Sequence, residues 1–541
     1  MLQDIVILLK EKFLYAIPFI ILGWCLHIRY RHGFNKYRGP LLASFTDYWR
    51  YRYTRDHRDE IPSVALHAKY GDIVRAGPQK LSFANPEALK DIYSINRGYV
   101  KSEFYWVAAS VSKGTPLPSL FSNLNESFHA RLRRCVNNAF ALSTLVQYEP
   151  LVDTTVHLFL RQLNKRFAGK QGTEGVIDFP TWLQYYAFDV IGELTYSSRH
   201  GFLESGQDVD GIIAYLDKYM SYLVLVGQMP ILDKIFWKNP FFMWLSRHGL
   251  YDDTFPAVPF AVKAMRQRTD SDCKPSDTNG VPDLLSKFLN AKELHPDVVG
   301  DKEVLAMALS MIFAGSETTA ISLSAVFYYL LKNPRCLSKL LEEIDKELPS
   351  DDFDEPCSSV KFTDANKLIY LDACVKEAFR MHPAPAFDME RVVPPNGSTI
   401  CGEFIPGGTI VSCNAWVIHK NKGIFGEDVD VYRPERWLED DQRVKVMNST
   451  LFHFGQGART CIGKNISTLE IYKVVPSILK IFEVTLNDPK QDWKIKNATG
   501  LSSRCGGQIV QYTELAFTSS FALQFWKWIM EPAERPQVGY W

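Results

Sequence analysis

Near the carboxyl end the chain reads Phe452-His-Phe-Gly-Gln-Gly-Ala-Arg-Thr-Cys-Ile-Gly463. Apolar residues then recur at Ile466, Leu469, Val474, Ile478, Leu479 and Phe482, a helical spacing that puts Cys461 just before a helix. Unpaired N–H groups and the positive dipole end there favour a thiolate, the form that ligates metals. Gly457 and Gly463 let the loop turn tightly and bring backbone close to a flat ligand, and Arg459 can pair with an anionic group on it. A lone thiolate so placed suits the axial position of a haem iron, where it donates electron density that favours O–O cleavage. The plainer alternative is a glycine-rich turn with Cys461 as a small buried hydrophobe. Against it stands the pattern F-x-x-G-x-R-x-C-x-G, which Phe454, Gly457, Arg459, Cys461 and Gly463 all satisfy.

Other residues carry matching chemistry. Ala314-Gly-Ser-Glu-Thr-Thr319 places the carboxyl of Glu317 beside the hydroxyl of Thr318. Splitting dioxygen requires protons delivered without flooding the site with water, and an acid–alcohol pair can relay them. Thr318 could instead bond back to an upstream carbonyl, and Glu317 could be an ordinary solvated or ion-paired helix residue. Glu377 and Arg380 (i, i+3) share one helix face, as do His129 and Arg133 (i, i+4). A solvated basic face explains Arg131 and Arg134 better, unless they meet an acidic partner.

These residues need a scaffold, and the sequence suggests a mainly helical one with a minor sheet (α+β). Strand-like runs occur at 72–76, 80–83, 399–402 and 409–413, and most of the chain beyond 125 has helical periodicity. The longest helix is expected over Asp301 to Asn333, capped by Asp301 and stopped by Pro334. Gly315 in its middle costs about 1 kcal/mol relative to alanine, which suggests a close approach to the backbone there. Lys plus Arg total 61 and Asp plus Glu 61, so the chain lacks the basic excess of a nucleic-acid binder. Ten cysteines in 541 residues are too few for a disulfide scaffold. Residues 13–28 are apolar and free of formal charge, and Arg29, Arg31, Lys36 and Arg38 follow, as expected of an uncleaved anchor with a cytosolic body. A cleaved signal and a peripheral amphipathic segment are the alternatives.

With these motifs in this order, the chain resembles the cytochrome P450 haem-thiolate monooxygenases over about residues 38–495. The front segment His67 to Arg75 and Leu81 to Ala88 is similar to the fungal pisatin demethylase-like group. The resemblance implies haem b with Cys461 as its axial ligand. It further implies Glu317 and Thr318 as proton-handling residues, and a cofactor-binding set of His129, Arg133, Arg391, Arg459, Phe454, Gly457 and Gly463. Glu377, Arg380 and Arg436, the last within Arg-Pro-Glu435-Arg-Trp437, would form a structural network. The implied partners are NADPH–cytochrome P450 reductase, cytochrome b5, a hydrophobic small molecule and the endoplasmic reticulum membrane. The implied organisation is a flank (1–12), an anchor (13–28), a basic linker (29–60), a haem domain (61–495) and an atypical tail (496–541). Two alternatives stay open: an isomerase or dehydratase that uses no dioxygen, and a product impaired by the altered carboxyl end.

Overall fold

The computed structural model describes residues 19–486 and 489–490, except 21, 57–61, 171–174, 253, 256, 270–281 and 349–357. Residues 13–18 and 21 of the expected anchor, nearly all of the loop at 269–282, much of that at 349–361 and the tail at 496–541 lie outside the described residues. Helices dominate, and six of them position the site: α1 (Glu126–Val136), α2 (Leu142–Arg166), α3 (Phe179–Tyr196), α4 (Asp301–Lys332), α5 (Ile369–Met381) and α6 (Lys464–Ile481). Nine short strands are named: β1 (Ile73–Gly77), β2 (Lys80–Phe83), β3 (Val100–Lys101), β4 (Ser110–Ser112), β5 (Thr115–Leu117), β6 (Arg391–Val392), β7 (Ser398–Ile400), β8 (Glu403–Ile405) and β9 (Ile410–Cys413). Among the described residues they form a five-stranded sheet in the order β1-β2-β9-β6-β3 and two hairpins, β4-β5 and β7-β8. The expected mainly helical α+β fold is what forms.

Helix α4 is buried along most of its length and packs most extensively against α3. It is long and apolar enough to cross a bilayer, but its burial makes it the core helix of the domain. The expected cap differs. Gly300 precedes the helix, and Glu303 reaches back to accept the Gly300 N–H at 2.9 Å, while Asp301 pairs with Lys292 at 2.6 Å. The close approach expected at Gly315 is made by α3: a Cβ there would stand 2.7 Å from Cδ1 and Cγ1 of Ile191. Close helix packing requires that glycine.

Candidate functional site: a thiolate loop under a cationic cradle

The cysteine loop is closed by hydrogen bonds from the Cys461 N–H to the Phe454 carbonyl (2.8 Å) and from the Thr460 N–H to Gly457 O (3.1 Å). Gly457 has φ +69°, and a Cβ on it would lie 1.7 Å from the carbonyl oxygen of Tyr93. Its role is thus to let the loop pass another chain segment, whereas a Cβ on Gly463 would meet nothing nearer than the Cys461 sulfur at 3.9 Å. Phe454 packs beside Phe379 of α5, and His453 stacks on the same ring at 4.4 Å. His419 joins the loop to α5. Its Nε2 accepts the Phe452 N–H (2.8 Å), so Nδ1 carries the proton that goes to the Arg380 carbonyl (3.1 Å).

Cys461 is exposed, yet burial pushes its thiol up from the ordinary value. Together these facts describe a recess: an accessible sulfur deep inside the protein. The N–H groups of Gly463 and Lys464 and the Arg133 guanidinium pull the other way but do not win. The helix start thus favours the thiolate as expected, while desolvation in the protein by itself opposes it, and a bound cation would add to the stabilisation of the charge. Helix α4 packs against α6, and on it Ala314 is exposed in mid-helix while Gly315 and Thr318 are half-buried. An exposed alanine between buried turns of a core helix marks an internal hollow.

Around the loop lies an unbalanced set of cations. Lys101 and Arg391 are direct partners across β3 and β6. Burial pushes the Lys101 ammonium well down, followed by the charges of Arg391, Arg459 and Arg133, against Glu126 alone. Buried His129 is held neutral, near 3, by desolvation and then by Arg459, Lys101, Arg133 and Arg391. Arg133 donates to the Thr460 carbonyl at 2.8 Å, beside the cysteine. Arg391 donates to the Tyr105 hydroxyl (3.2 Å) and Glu390 O (2.8 Å). Arg459, expected to face an anionic ligand, here grips Glu126 through Nε (2.9 Å) and Nη2 (2.8 Å) and also bonds the carbonyls of Leu120 and Asn123. Four cations and a histidine gathered about one carboxylate fit a ligand carrying further negative charge. Haem, a flat group with two carboxylates and an iron for the sulfur, fits both the recess and the cradle.

Adjacent residues on a helix point about 100° apart, and Glu317 and Thr318 do so. Thr318 faces the accessible side, where its hydroxyl donates to the Ala314 carbonyl at 2.6 Å. Glu317 is buried and takes a hydrogen bond from Gln184 Nε2 of α3. The fully buried Glu377 carboxylate joins Arg380 (2.8 and 2.9 Å), Arg436 Nε (2.8 Å), Trp437 Nε1 (2.9 Å) and the Arg433 N–H (3.1 Å). Glu435 is not in that network; it turns to Arg335, Lys339 and the Tyr370 hydroxyl near the surface. Sequence reasoning missed Lys101, Glu126 and Gln184. Lys101 lies on a two-residue strand whose pairing with Arg391 no local pattern announces.

The family model for cytochrome P450 matches residues 51–510. A cytochrome P450 monooxygenase of Aspergillus terreus is 39% identical, over 83% of this chain and 89% of its own length. The cytochrome P450 monooxygenase cicH of Emericella nidulans is 39% identical over 85% of this chain and 90% of its own length. The mpaDE protein of Penicillium roqueforti, also a cytochrome P450 monooxygenase, is 36% identical over 85% of this chain and 53% of its own length.

Proposed function

The chain belongs to the cytochrome P450 family, and from that premise we propose how its own residues serve a monooxygenase of fungal secondary metabolism. The net reaction consumes a C–H bond, dioxygen, two electrons and two protons, and yields the C–OH product and water. Haem, when bound, would supply the iron at which dioxygen is activated, with electrons from NADPH through a reductase.

Cys461 would ligate the haem iron, held by its N–H bond to Phe454 and offset in charge by the N–H groups of Gly463 and Lys464 and by Arg133. Lys101, His129, Arg133, Arg391 and Arg459 would receive the two haem carboxylates. Phe454, Gly457 and Gly463 shape the loop, and Glu377, Arg380 and Arg436 fix the helix behind it. Thr318 turns its hydroxyl from the Ala314 carbonyl toward the hollow and passes a proton at Oγ1. Glu317, shielded from bulk water and held by Gln184, replenishes that proton. The observation that carries this reading is the accessible sulfur of Cys461 beneath a surplus of buried cations.

Residues 61–495 form the haem domain, and residues 13–28 anchor it as a single span in the endoplasmic reticulum membrane. In support, positions 22–30 are helical with Leu22, Trp24 and Leu26 exposed, and basic residues follow. The substrate is a hydrophobic small molecule, and cytochrome b5 is a second electron donor. The test is co-expression with a reductase in a metabolite-producing host. A product heavier by one oxygen, NADPH dependence and a reduced, CO-bound thiolate spectrum are expected, all lost in Cys461→Ser. A rearranged product of unchanged mass formed without NADPH would overturn it.

A further inference from the structure

Behind the hollow, α2, α3, α4 and α6 pack around a second polar centre that the scheme above does not use. Glu470 of α6 is fully buried, and neither carboxyl oxygen has a hydrogen-bond partner. Tyr186 of α3 is equally buried, with an unpartnered hydroxyl that feels the Glu470 charge. The Thr319 hydroxyl of α4, next to Thr318, lies 3.4 Å from Ser467 Oγ and also acts on the Glu470 carboxyl, favouring its ionised form less than burial opposes it.

Among the described residues no cation pairs with Glu470. Lys473, one turn on, is committed to Glu149 (2.6 Å), Asp153 (2.9 Å) and the Val360 carbonyl (2.8 Å). An unpaired buried carboxylate would cost far more than a buried neutral acid, so the group keeps its proton. Burial indeed pushes Glu470 well above the ordinary carboxyl range. A neutral carboxyl donates one hydrogen bond and accepts others, and a modest rotation of the Thr319 hydroxyl would complete a link between α6 and α4.

Resting on the monooxygenase reading, we infer that Glu470 is a positioning residue: protonated in the folded protein, it holds α6, which begins three residues after Cys461, in register with α4, which carries Glu317 and Thr318. The register matters because the proton-handling hydroxyl and the ligand loop sit on different helices, and their separation sets where protons arrive.

The test uses the full-length holoenzyme with its reductase and three forms: wild type, Glu470→Gln and Glu470→Leu. Infrared difference spectra should show a protonated-carboxyl band that persists well above the range in which an ordinary glutamate ionises, and vanishes in E470Q. E470Q, which keeps a neutral donor and acceptor, should match wild type in product formed per NADPH. E470L should divert electrons to peroxide and cut that ratio about tenfold, since an ångström of misplacement can cost up to about 100-fold. Three results would overturn the inference: no persistent band, E470Q as poorly coupled as E470L, or E470L as well coupled as wild type. Should wild type lack the CO-bound thiolate spectrum, the monooxygenase reading fails, while the infrared band still decides the state of Glu470.

Discussion

Replacing Lys101 by methionine should separate cofactor affinity from the stability of the fold. Lys101 lies opposite Arg391 in the β3–β6 ladder, and like charges so paired destabilise a sheet by about 0.2–1 kcal/mol. Its ammonium also donates to the Phe121 carbonyl (2.6 Å) and lies 4.1 Å and 4.4 Å from the ring centres of Tyr105 and Phe121. Those ring contacts contribute about 0.5–1 kcal/mol, so in the haem-free protein losing them roughly offsets the relief of repulsion. The haem-bound protein differs, because a hydrogen bond to a charged group contributes about 1.5–3 kcal/mol. Haem affinity should then fall about 10- to 150-fold, at 1.4 kcal/mol per decade, while haem-free stability stays within about 1 kcal/mol of wild type. Haem loss to a scavenger protein, followed by absorbance, measures the first quantity, and urea unfolding of the apoprotein measures the second. Affinity within twofold of wild type, or an equal fall in both, would show that Lys101 only supports the scaffold.

Glu377→Gln leaves buried Arg380 without a counter-charge and Arg436 with Asp428 alone, and should lower stability by about 3–5 kcal/mol; a thermal midpoint equal to wild type would contradict the network. Gly457→Ala should be lost to misfolding or lose the thiolate spectrum, because the new Cβ collides with the Tyr93 carbonyl, whereas Gly463→Ala should keep it; spectra of the two variants side by side check this. Acid should destabilise the protein. His382 and His453 are held near 3 and His200 near 4 by burial, and burial with neighbouring cations holds His129 near 3. The unfolded chain therefore binds more protons below about pH 6.5, and stability falls from there toward about pH 3–4, by about 1.4 kcal/mol per histidine at pH 5.5. Urea midpoints at two pH values should show it, with a shallower slope in His453→Phe; an unchanged slope would refute the assignment to that ring.

What the sequence reveals about this site is what depends on local spacing. The cysteine loop, the Glu377–Arg380 pair and the His129–Arg133 pair are each set by one turn or one helix, so their residues converge as their spacing implies. Tertiary packing decides the rest. The need for Gly315 comes from Ile191, more than a hundred residues earlier, and that for Gly457 from Tyr93. Lys101 joins the cradle through a two-residue strand, too short to carry an alternating pattern. Glu435 and Arg436 are neighbours in sequence yet serve the surface and the core respectively. At Cys461 spacing shows the favourable pull of the helix start, but not the opposing desolvation, which comes from the whole fold.

His419 leaves one more consequence. Both its ring nitrogens are committed, one giving a proton to Arg380 O and the other receiving one from the Phe452 N–H. The ring cannot take up a further proton without abandoning Phe452, the first residue of the cysteine loop. The hinge between the arginine network and the ligand-bearing segment is therefore acid-labile, and burial, which keeps this imidazole neutral far below its usual range, is its safeguard. Any loosening that admits water at this ring would let go of the loop from behind, without touching the sulfur.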